Sequence, residues 1–423
     1  MQLIRKPKIA IISIRNTYSF GGVFATLKVV HDFCNQYFEP TVFFLSFDPK
    51  NSAHVRPFKF SSSTQSSIYH GMNCVEIGAR WAFWEPGHYE FTAASWQEAL
   101  RGFNYFFVVS ATPIAGHPLA LLNKKFIVWL STSYEEDRQE RVKKLTGSQW
   151  LLNKLANHSM EIIEKLVLTK ASYVLALSKY SLNQFKKRVP TVITKTAICG
   201  YPVETTNTPI ISKHEPLSLL AVGRFTDPRK NIEMLLRVFS QISKKITNIT
   251  LYVVGQPPEP ETLYDFTGQP GFENIVFTGQ VSKHDLILFY QKAHLMLITS
   301  YQEGFGISGL EGLLYGMPII ATDCGGVKDY VINNETGFIV PINDDKAMVE
   351  KALELLTNPT LRNKFALTGQ QLVHTLFSQQ KIYSTFKHAL NTTYPELTTL
   401  LSQQSDPISL STGASQIQQS TAS

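Results

Sequence analysis

The sequence has little of what would mark it as anything but a globular protein. Only four cysteines occur in 423 residues, Cys34, Cys74, Cys199 and Cys324, and no two are close. That scarcity excludes a zinc-binding spacing and argues against a disulfide framework, so a reducing cytoplasm is the expected setting. No apolar run reaches the ~18 residues that a membrane-spanning helix needs. No Asp-x-Asp pair occurs. Nothing has the pattern of a zinc finger, an RNA-recognition motif or a basic zipper, so nucleic acid is not an expected partner. The opening "MQLIRKPKIAIISIRN" carries a short apolar run that ends in Arg15 without a small-residue cleavage site. It reads as a first β-strand and not as a signal peptide.

Hydrophobic residues make up 43% of the chain, enough to bury sizeable cores, and the length favours two or three domains. The net charge of +7 is unevenly spread. Residues 1–200 carry 24 Lys+Arg against 13 Asp+Glu, and residues 201–423 carry 16 against 20. Such asymmetry marks either a half that meets phosphates or an anionic membrane, or ordinary variation between solvated surfaces.

Short apolar runs alternate with helical periodicity. "KIAIISI", "TVFFLSF", "NYFFVVS", "KFIVWLS" and "ASYVLALS" read as buried strands in the first half. "LSLLAVGR", "ITLYVVG", "NIVFTG", "HLMLITS" and "PIIATD" read the same way in the second. Between them lie helical patterns such as "FATLKVVHDFCNQY", "WLLNKLANHSMEIIEKLVL" and "NIEMLLRVFSQISKK". This alternation predicts an α/β protein with parallel sheets covered on both faces. The pattern restarts after the Pro/Thr-rich stretch 199–216, the best linker candidate. The expected domains are 1–203, joined by a helical segment within 378–400, and 204–377. Residues 401–423 are Ser/Gln/Thr-rich without Lys or Arg and are expected to be a disordered tail.

In open α/β sheets, ligands bind beyond the carboxyl ends of strands. There the sequence places "SFGGVF", where Gly21 and Gly22 open a helix whose N–H groups suit a phosphate or sugar, or simply make a strand-to-helix turn. "GRFTDPRKN" places Arg224 and Lys230 beside a turn, two cations that suit a diphosphate or are merely solvated. "TGQVSK" places Gln280 and Val281 in a loop able to read a base edge through its backbone. "EGFGISGLEGLLYGMP" sets Glu303 and Glu311 eight positions apart around glycines, with the N–H groups of Phe305, Gly306 and Ile307 at a helix start. The carboxylates either accept from sugar hydroxyls or stabilise a helix N-terminus.

The order of these motifs, followed by "ATDCGG" and "YVINNETGFIVPINDD", resembles the family 4 glycosyltransferases across about residues 8–395. The resemblance is specific in the C-terminal half and one of organisation in the N-terminal half. It implies the GT-B fold: two facing Rossmann-like domains, a cleft between them, and a final helix, "SQQKIYSTFKHALNTTY", crossing back to the first. It implies that Arg224 and Lys230 hold a donor diphosphate, that Glu303 faces the transferred hexose, and that Glu311 holds the ribose hydroxyls. The backbone at Phe305, Gly306 and Ile307 would meet sugar and distal phosphate, with the glycines letting the ligand lie against it, and Gly22 would lie near the phosphates and acceptor. The function implied is retaining, metal-independent transfer of a hexosyl unit from a nucleotide-diphosphate sugar, with no cofactor, in polysaccharide or glycoconjugate synthesis.

One departure stands in the first domain. Where many relatives have a His, this sequence has Ser131, and His117 in "PIAGHP" has the wrong spacing to replace it; either is a candidate on the acceptor side. The aromatic loop 79–91 lines the acceptor side or covers a core. The departure keeps open an inactive sugar-nucleotide-binding protein, or another GT-B enzyme such as a sugar-nucleotide epimerase or a phosphorylase. The acceptor is a sugar, a lipid-linked sugar or a protein. The basic clusters 138–145 and 183–189 either give weak peripheral contact with an anionic membrane or are the solvated faces of helices.

Overall fold

The computed structural model describes residues 6–14, 21–46, 64–78, 93–143, 145–204 and 216–402. The first sheet contains β1 (Lys8–Ile14), β2 (Glu39–Ser46), β3 (Thr64–Tyr69), β4 (Met72–Gly78), β5 (Tyr105–Ser110), β6 (Ile127–Leu130), β7 (Tyr173–Ala176) and β8 (Thr196–Ile198). Their order is β3-β4-β2-β1-β5-β6-β7-β8. The central strands are apolar at nearly every position because helices cover both faces; all four residues of β6 and of β7 are buried.

The parallel expectation needs one correction. β3 pairs antiparallel with β4. His70 and Gly71 between them both have positive φ, 47° and 79°, the left-handed pair of a two-residue hairpin turn. This edge hairpin was absent from the reading because "TQSSIY" offers only Ile68 and Tyr69 as apolar residues, and Ile68 points to solvent.

The second sheet contains β9 (Ser218–Arg224), β10 (Thr250–Gln256), β11 (Ile275–Gly279), β12 (Leu295–Ile298), β13 (Ile319–Thr322) and β14 (Gly337–Val340). Its order is β11-β10-β9-β12-β13-β14, parallel throughout. Strand order reverses between β9 and β12, which leaves a crevice at their carboxyl ends.

Eight helices position the site and the surface discussed below. They are α1 (Gly22–Tyr37), α2 (Tyr134–Val142), α3 (Gly147–Lys170), α4 (Lys179–Arg188), α5 (Ile232–Ser243), α6 (Lys283–Lys292), α7 (Ile307–Leu314) and α8 (Gln379–Thr393). α8 returns to the first sheet. Its Phe386 is fully buried and meets Phe33, Phe107 and Trp129 edge-on with centroids 5.2, 5.6 and 5.0 Å away. Just beyond α8, the Tyr394 hydroxyl donates to the Lys125 carbonyl at 2.6 Å and accepts from the Phe106 N–H at 3.1 Å. A short helix, Thr398–Ser402, follows with Leu401 buried. Residues 401 and 402 are therefore helical, and the rest of the expected tail, 403–423, lies outside the described residues. So does the aromatic loop 79–91. Among the described residues no helix is long and apolar enough to cross a membrane.

Candidate active site

The crevice between β9 and β12 is built by two strand exits. At the β9 exit, the Asp227 carboxylate accepts from the Arg229 N–H at 3.1 Å and fixes a tight turn. Asn231 then takes a left-handed conformation, φ 48°, and its side chain caps α5 by accepting from the Met234 N–H. The Thr299 hydroxyl donates to the Lys230 carbonyl at 3.0 Å, pinning this turn to the β12 exit. Lys230 thereby crosses the crevice, and its Nζ donates to Glu303 Oε1 at 2.6 Å. Ser300 Oγ donates to the same oxygen at 2.7 Å. Burial pushes the Glu303 carboxyl up, but the Lys230 charge and the hydrogen bonds from Lys230 and Ser300 outweigh it and hold the group below the usual value. A shallow pocket opens over this pair, lined among others by Val222, Phe225, Ser300, Gly306 and Ser308.

α7 starts at the pocket edge. Gly306 caps it at φ 80°, ψ 59°. Among the described residues, no group accepts from the N–H of Phe305, Gly306 or Ile307. Across the cleft, Gly22 begins α1, and a Cβ placed on it would lie 3.5 Å from Ile307 Cδ1. Two helix N-termini, one from each domain, thus meet beside the pocket with their positive dipole ends, and α7 brings the free donors.

Glu311, about a turn into α7, has a different environment. It accepts from the Tyr290 hydroxyl at 2.9 Å, and Tyr290 on α6 stacks on Tyr315. Burial raises the Glu311 pKa, and the Tyr290 hydrogen bond offsets only part of that.

The glycines of this segment serve a purpose other than the one expected. A Cβ on Gly304 would lie 2.5 Å from the Ser131 carbonyl oxygen of the first domain. Cβ atoms on Gly306 and Gly309 would lie 2.7 and 2.5 Å from the Tyr330 hydroxyl, and one on Gly312 would lie 2.9 Å from Met317 Cε. Protein fills these spaces. The small residues admit the other domain and the Tyr330 ring, whose hydroxyl donates to the Gly306 carbonyl at 2.6 Å. What the segment leaves open is its N–H groups.

Arg224 stands on the solvent side of its turn, 42% exposed, with a guanidinium nitrogen 3.8 Å from Asp227. The Phe305 ring is buried against Tyr330 and Phe377, so only its backbone faces the pocket. Gln280 is exposed and Val281 half-buried between β11 and α6. Ser131 lies at the cleft floor; its hydroxyl donates to the Ala111 carbonyl at 3.2 Å and its own carbonyl accepts from Ser181 Oγ. His117 is buried at the first position of helix His117–Leu121, which packs against α3.

Residues 188–372 match the family of glycosyl transferases group 1. That segment is thus similar to the group 1 glycosyl transferases, and the chain has the GT-B fold. The chain spans about half the length of the curated relatives it matches. One is the capsular polysaccharide biosynthesis glycosyltransferase CapM of Staphylococcus aureus, 32% identical over 173 residues, 40% of this chain and 45% of that protein. In three dimensions the sucrose-phosphate synthase of Thermosynechococcus elongatus aligns with a TM-score of 0.68 and 17% identity, over 93% of this chain and all of that one. HepE of Anabaena, solved with UDP and glucose, aligns with a TM-score of 0.68 and 15% identity, over 91% of this chain and all of that one.

Beside this site an ion-pair bridge joins the two domains, and the sequence reading does not contain it. Arg229 Nη1 donates to Asp137 Oδ1 on α2 at 2.8 Å and to Gln302 Oε1 at 3.1 Å, while its Nη2 donates to Asp227 at 2.8 Å. Arg141, also on α2, reaches Asp227 at 3.0 Å. Burial raises the Asp227 carboxyl, but the bonds and charges of Arg229 and Arg141 hold it far below the usual range. Gln302 donates to Thr132 at 3.1 Å, and Ser178 Oγ donates to the Gly304 carbonyl at 2.8 Å. Arg229 stands beside Lys230 in the sequence, but its partner Asp137 is 92 positions away. No local pattern announces such a pair.

Proposed function

We propose that the protein is a retaining, metal-independent hexosyltransferase that uses a nucleotide-diphosphate sugar. The observation that carries this reading is the Lys230–Glu303 pair at the strand-order reversal, beside the start of α7, whose N–H groups at Phe305, Gly306 and Ile307 have no acceptor among the described residues. The donor diphosphate takes the Lys230 ammonium from Glu303 and accepts from the N–H groups of Phe305, Gly306 and Ile307, with Arg224 closing over it from the solvent side. Glu303, released from Lys230, accepts from a hydroxyl of the hexose. Glu311 accepts from the ribose hydroxyls, and the Gln280–Val281 backbone meets the base.

In the transfer step the bond from the anomeric carbon to the phosphate oxygen breaks. The acceptor oxygen bonds to that carbon on the same face, and its proton passes to the departing phosphate oxygen. Lys230, Arg224 and the helix dipoles stabilise the charge that develops there. That HepE, a protein of the same fold, was solved with UDP and glucose supports a nucleotide-sugar donor. The relation to CapM supports an acceptor in polysaccharide or glycoconjugate synthesis, whether sugar, lipid-linked sugar or protein. Four free, buried cysteines suit a cytoplasmic enzyme, and the basic first half suits peripheral contact with an anionic membrane.

The test is a thermal-shift screen against UDP-, GDP- and ADP-sugars, followed by product analysis by NMR with and without EDTA. One donor at a hundredfold excess over Kd should add about 2.7 kcal/mol of stability. Its hexose should then appear on an acceptor or on water with the anomeric configuration kept and no sensitivity to EDTA. Stabilisation without turnover would leave an inert binder, an epimerised sugar would indicate an epimerase, and no stabilisation by any donor would overturn the assignment.

A further inference from the structure

The first turns of α3 leave an apolar surface uncovered. Trp150, Leu151, Leu152, Leu155 and Ile162 are each more than half exposed. Single exposed apolar side chains are ordinary, but five on one helix are not. The other side of the same helix buries Ala156, Met160, Ile163, Val167 and Leu168 in the first domain. The start of α3 thus turns large apolar side chains outward, where a surface helix would place polar ones, and its second half packs on the first domain. Leu151, Leu155 and Ile162 follow one another at helical spacing and form one outward stripe, with Trp150 and Leu152 beside its start.

The charge at the start of the stripe has one sign. From Gly147 to Met160 the sequence holds Lys154 and no Asp or Glu. The Lys154 ammonium lies 5.1 Å from the Trp150 ring centroid. By contrast, the basic clusters expected to meet a membrane are largely engaged. Arg141 pairs with Asp137 and Asp227, Lys143 with Glu140, and Arg188 with Glu135 and Glu161. The surface also adjoins the cleft. Lys143, at the end of α2, stands over the Tyr301 ring of the second domain, two positions before Glu303.

We propose that the start of α3 is a membrane-docking surface: Trp150, Leu151, Leu152 and Leu155 enter the headgroup boundary of an anionic bilayer, with Lys154 beside them at the phosphates. An apolar face whose helical turns carry Lys154 and no carboxylate fits an anionic lipid surface better than a second copy that bears the same charge. Docked this way, the cleft opens beside the bilayer and takes an acceptor held in it. The inference deepens the membrane part of the proposed function and does not depend on glycosyl transfer.

Co-sedimentation with vesicles of phosphatidylcholine alone, and of phosphatidylcholine mixed equally with phosphatidylglycerol, tests it on the full chain. The expected result is binding to the anionic vesicles at low salt, little to the neutral ones, and partial release by salt. Leu151→Glu with Leu155→Glu should lower the bound fraction at least about tenfold while leaving Tm and donor-induced stabilisation unchanged, because both side chains are exposed. Lys154→Glu should cause a smaller loss. Absence of binding at low salt, or equal binding by the double variant, overturns the proposal. So does light scattering that shows a dimer which the double variant turns into a monomer, since a second copy then covers the face. Donor stabilisation is measured separately, so failure of docking and failure of the transferase reading are distinguishable.

Discussion

The two domains bring different kinds of group to the cleft. The second supplies charged side chains, Lys230, Glu303 and Glu311, each on a loop or helix directly after a strand. The first supplies mainly backbone, the start of α1 at Gly22 and the Ser131 carbonyl against Gly304, beside the bridge made by Asp137 and Arg141. The second sheet is parallel throughout, while the first ends in an antiparallel hairpin. A diphosphate and a ribose are recognised by a few charges at fixed offsets from strand ends, and that recognition leaves short motifs. An acceptor is met by shape and exposed surface, which leave only a drift in composition. The family match, confined to residues 188–372, follows the same division.

The largest effect should come from cutting the link between the domains. Arg229→Ala removes the cation shared by Asp227 and Asp137, whose side chains are only 8% and 18% exposed. Breaking such an enclosed pair costs about 3 kcal/mol or more. Denaturant unfolding should show that loss, and the single transition should split as the domains uncouple. Arg229→Lys should rescue little, since one ammonium does not reproduce the forked contacts. A loss below about 1 kcal/mol would class the bridge with surface pairs.

Next comes the chemistry of the second domain. Lys230→Ala should weaken nucleotide-diphosphate binding by about 1.5–3 kcal/mol in calorimetry. Arg224→Ala should weaken it less, because that side chain is the more exposed. Glu303→Gln should lower turnover more than donor affinity, and Glu311→Gln should lower nucleotide affinity. The reverse pattern would exchange the two roles.

These variants probe residues named from the sequence, and what was legible there has a physical limit. Strands such as "KFIVWL" and "LSLLAVG" were readable because burial on both faces leaves a continuous apolar run. The β3–β4 hairpin and the short strands β8 and β14 were not, because an exposed edge or three to four residues carry no such run. Lys230 and Glu303 were readable as residues at strand exits, but not as a pair 2.6 Å apart. The glycines of residues 304–312 were readable as demanding close approach, but not of what. Ser131 and Tyr330 approach them from positions 173 and at least 21 away in the chain. Neither the Arg229–Asp137 bridge nor the outward turn of the α3 stripe has any local signature.

The glycines allow a direct contrast between the two domains. In Gly304→Ala the new methyl would lie 2.5 Å from the Ser131 carbonyl oxygen, a backbone atom with no rotamer to change. The interface must shift, at about 1–3 kcal/mol, and both Tm and turnover should fall. In Gly22→Ala the methyl would meet only Ile307 Cδ1 at 3.5 Å, an ordinary contact with a side-chain tip. Its Tm should stay within about 0.5 kcal/mol of the wild type. If Gly304→Ala were equally silent, the two domains would not be held as closely as the Ser131 contact indicates.

One effect lies in the first domain, away from the cleft, and depends on pH. Glu164 on α3 has a fully buried side chain that accepts from the Tyr134 N–H at 3.0 Å, with Arg188 Nε 3.5 Å away. Burial pushes its pKa up to about 7, and the Tyr134 hydrogen bond and Arg188 charge offset only part of that. In the unfolded chain a glutamate titrates near about 4.3. Between those values the folded protein keeps a proton that the unfolded chain has shed, so this group makes stability fall as pH rises through the window. At about 1.4 kcal/mol per pH unit, the whole effect is at most about 4 kcal/mol and is complete above neutrality. Asp227 does not confuse the measurement. Its depressed pKa adds stability above its unfolded value near about 3.9, lost only as pH falls below the window. Urea midpoints at pH 5 and pH 8 should therefore drop more for the wild type than for Glu164→Gln, which carries no titrating proton. Equal drops would mean that Arg188 keeps Glu164 ionised throughout, and that α3 holds a buried ion pair in place of a neutral acid.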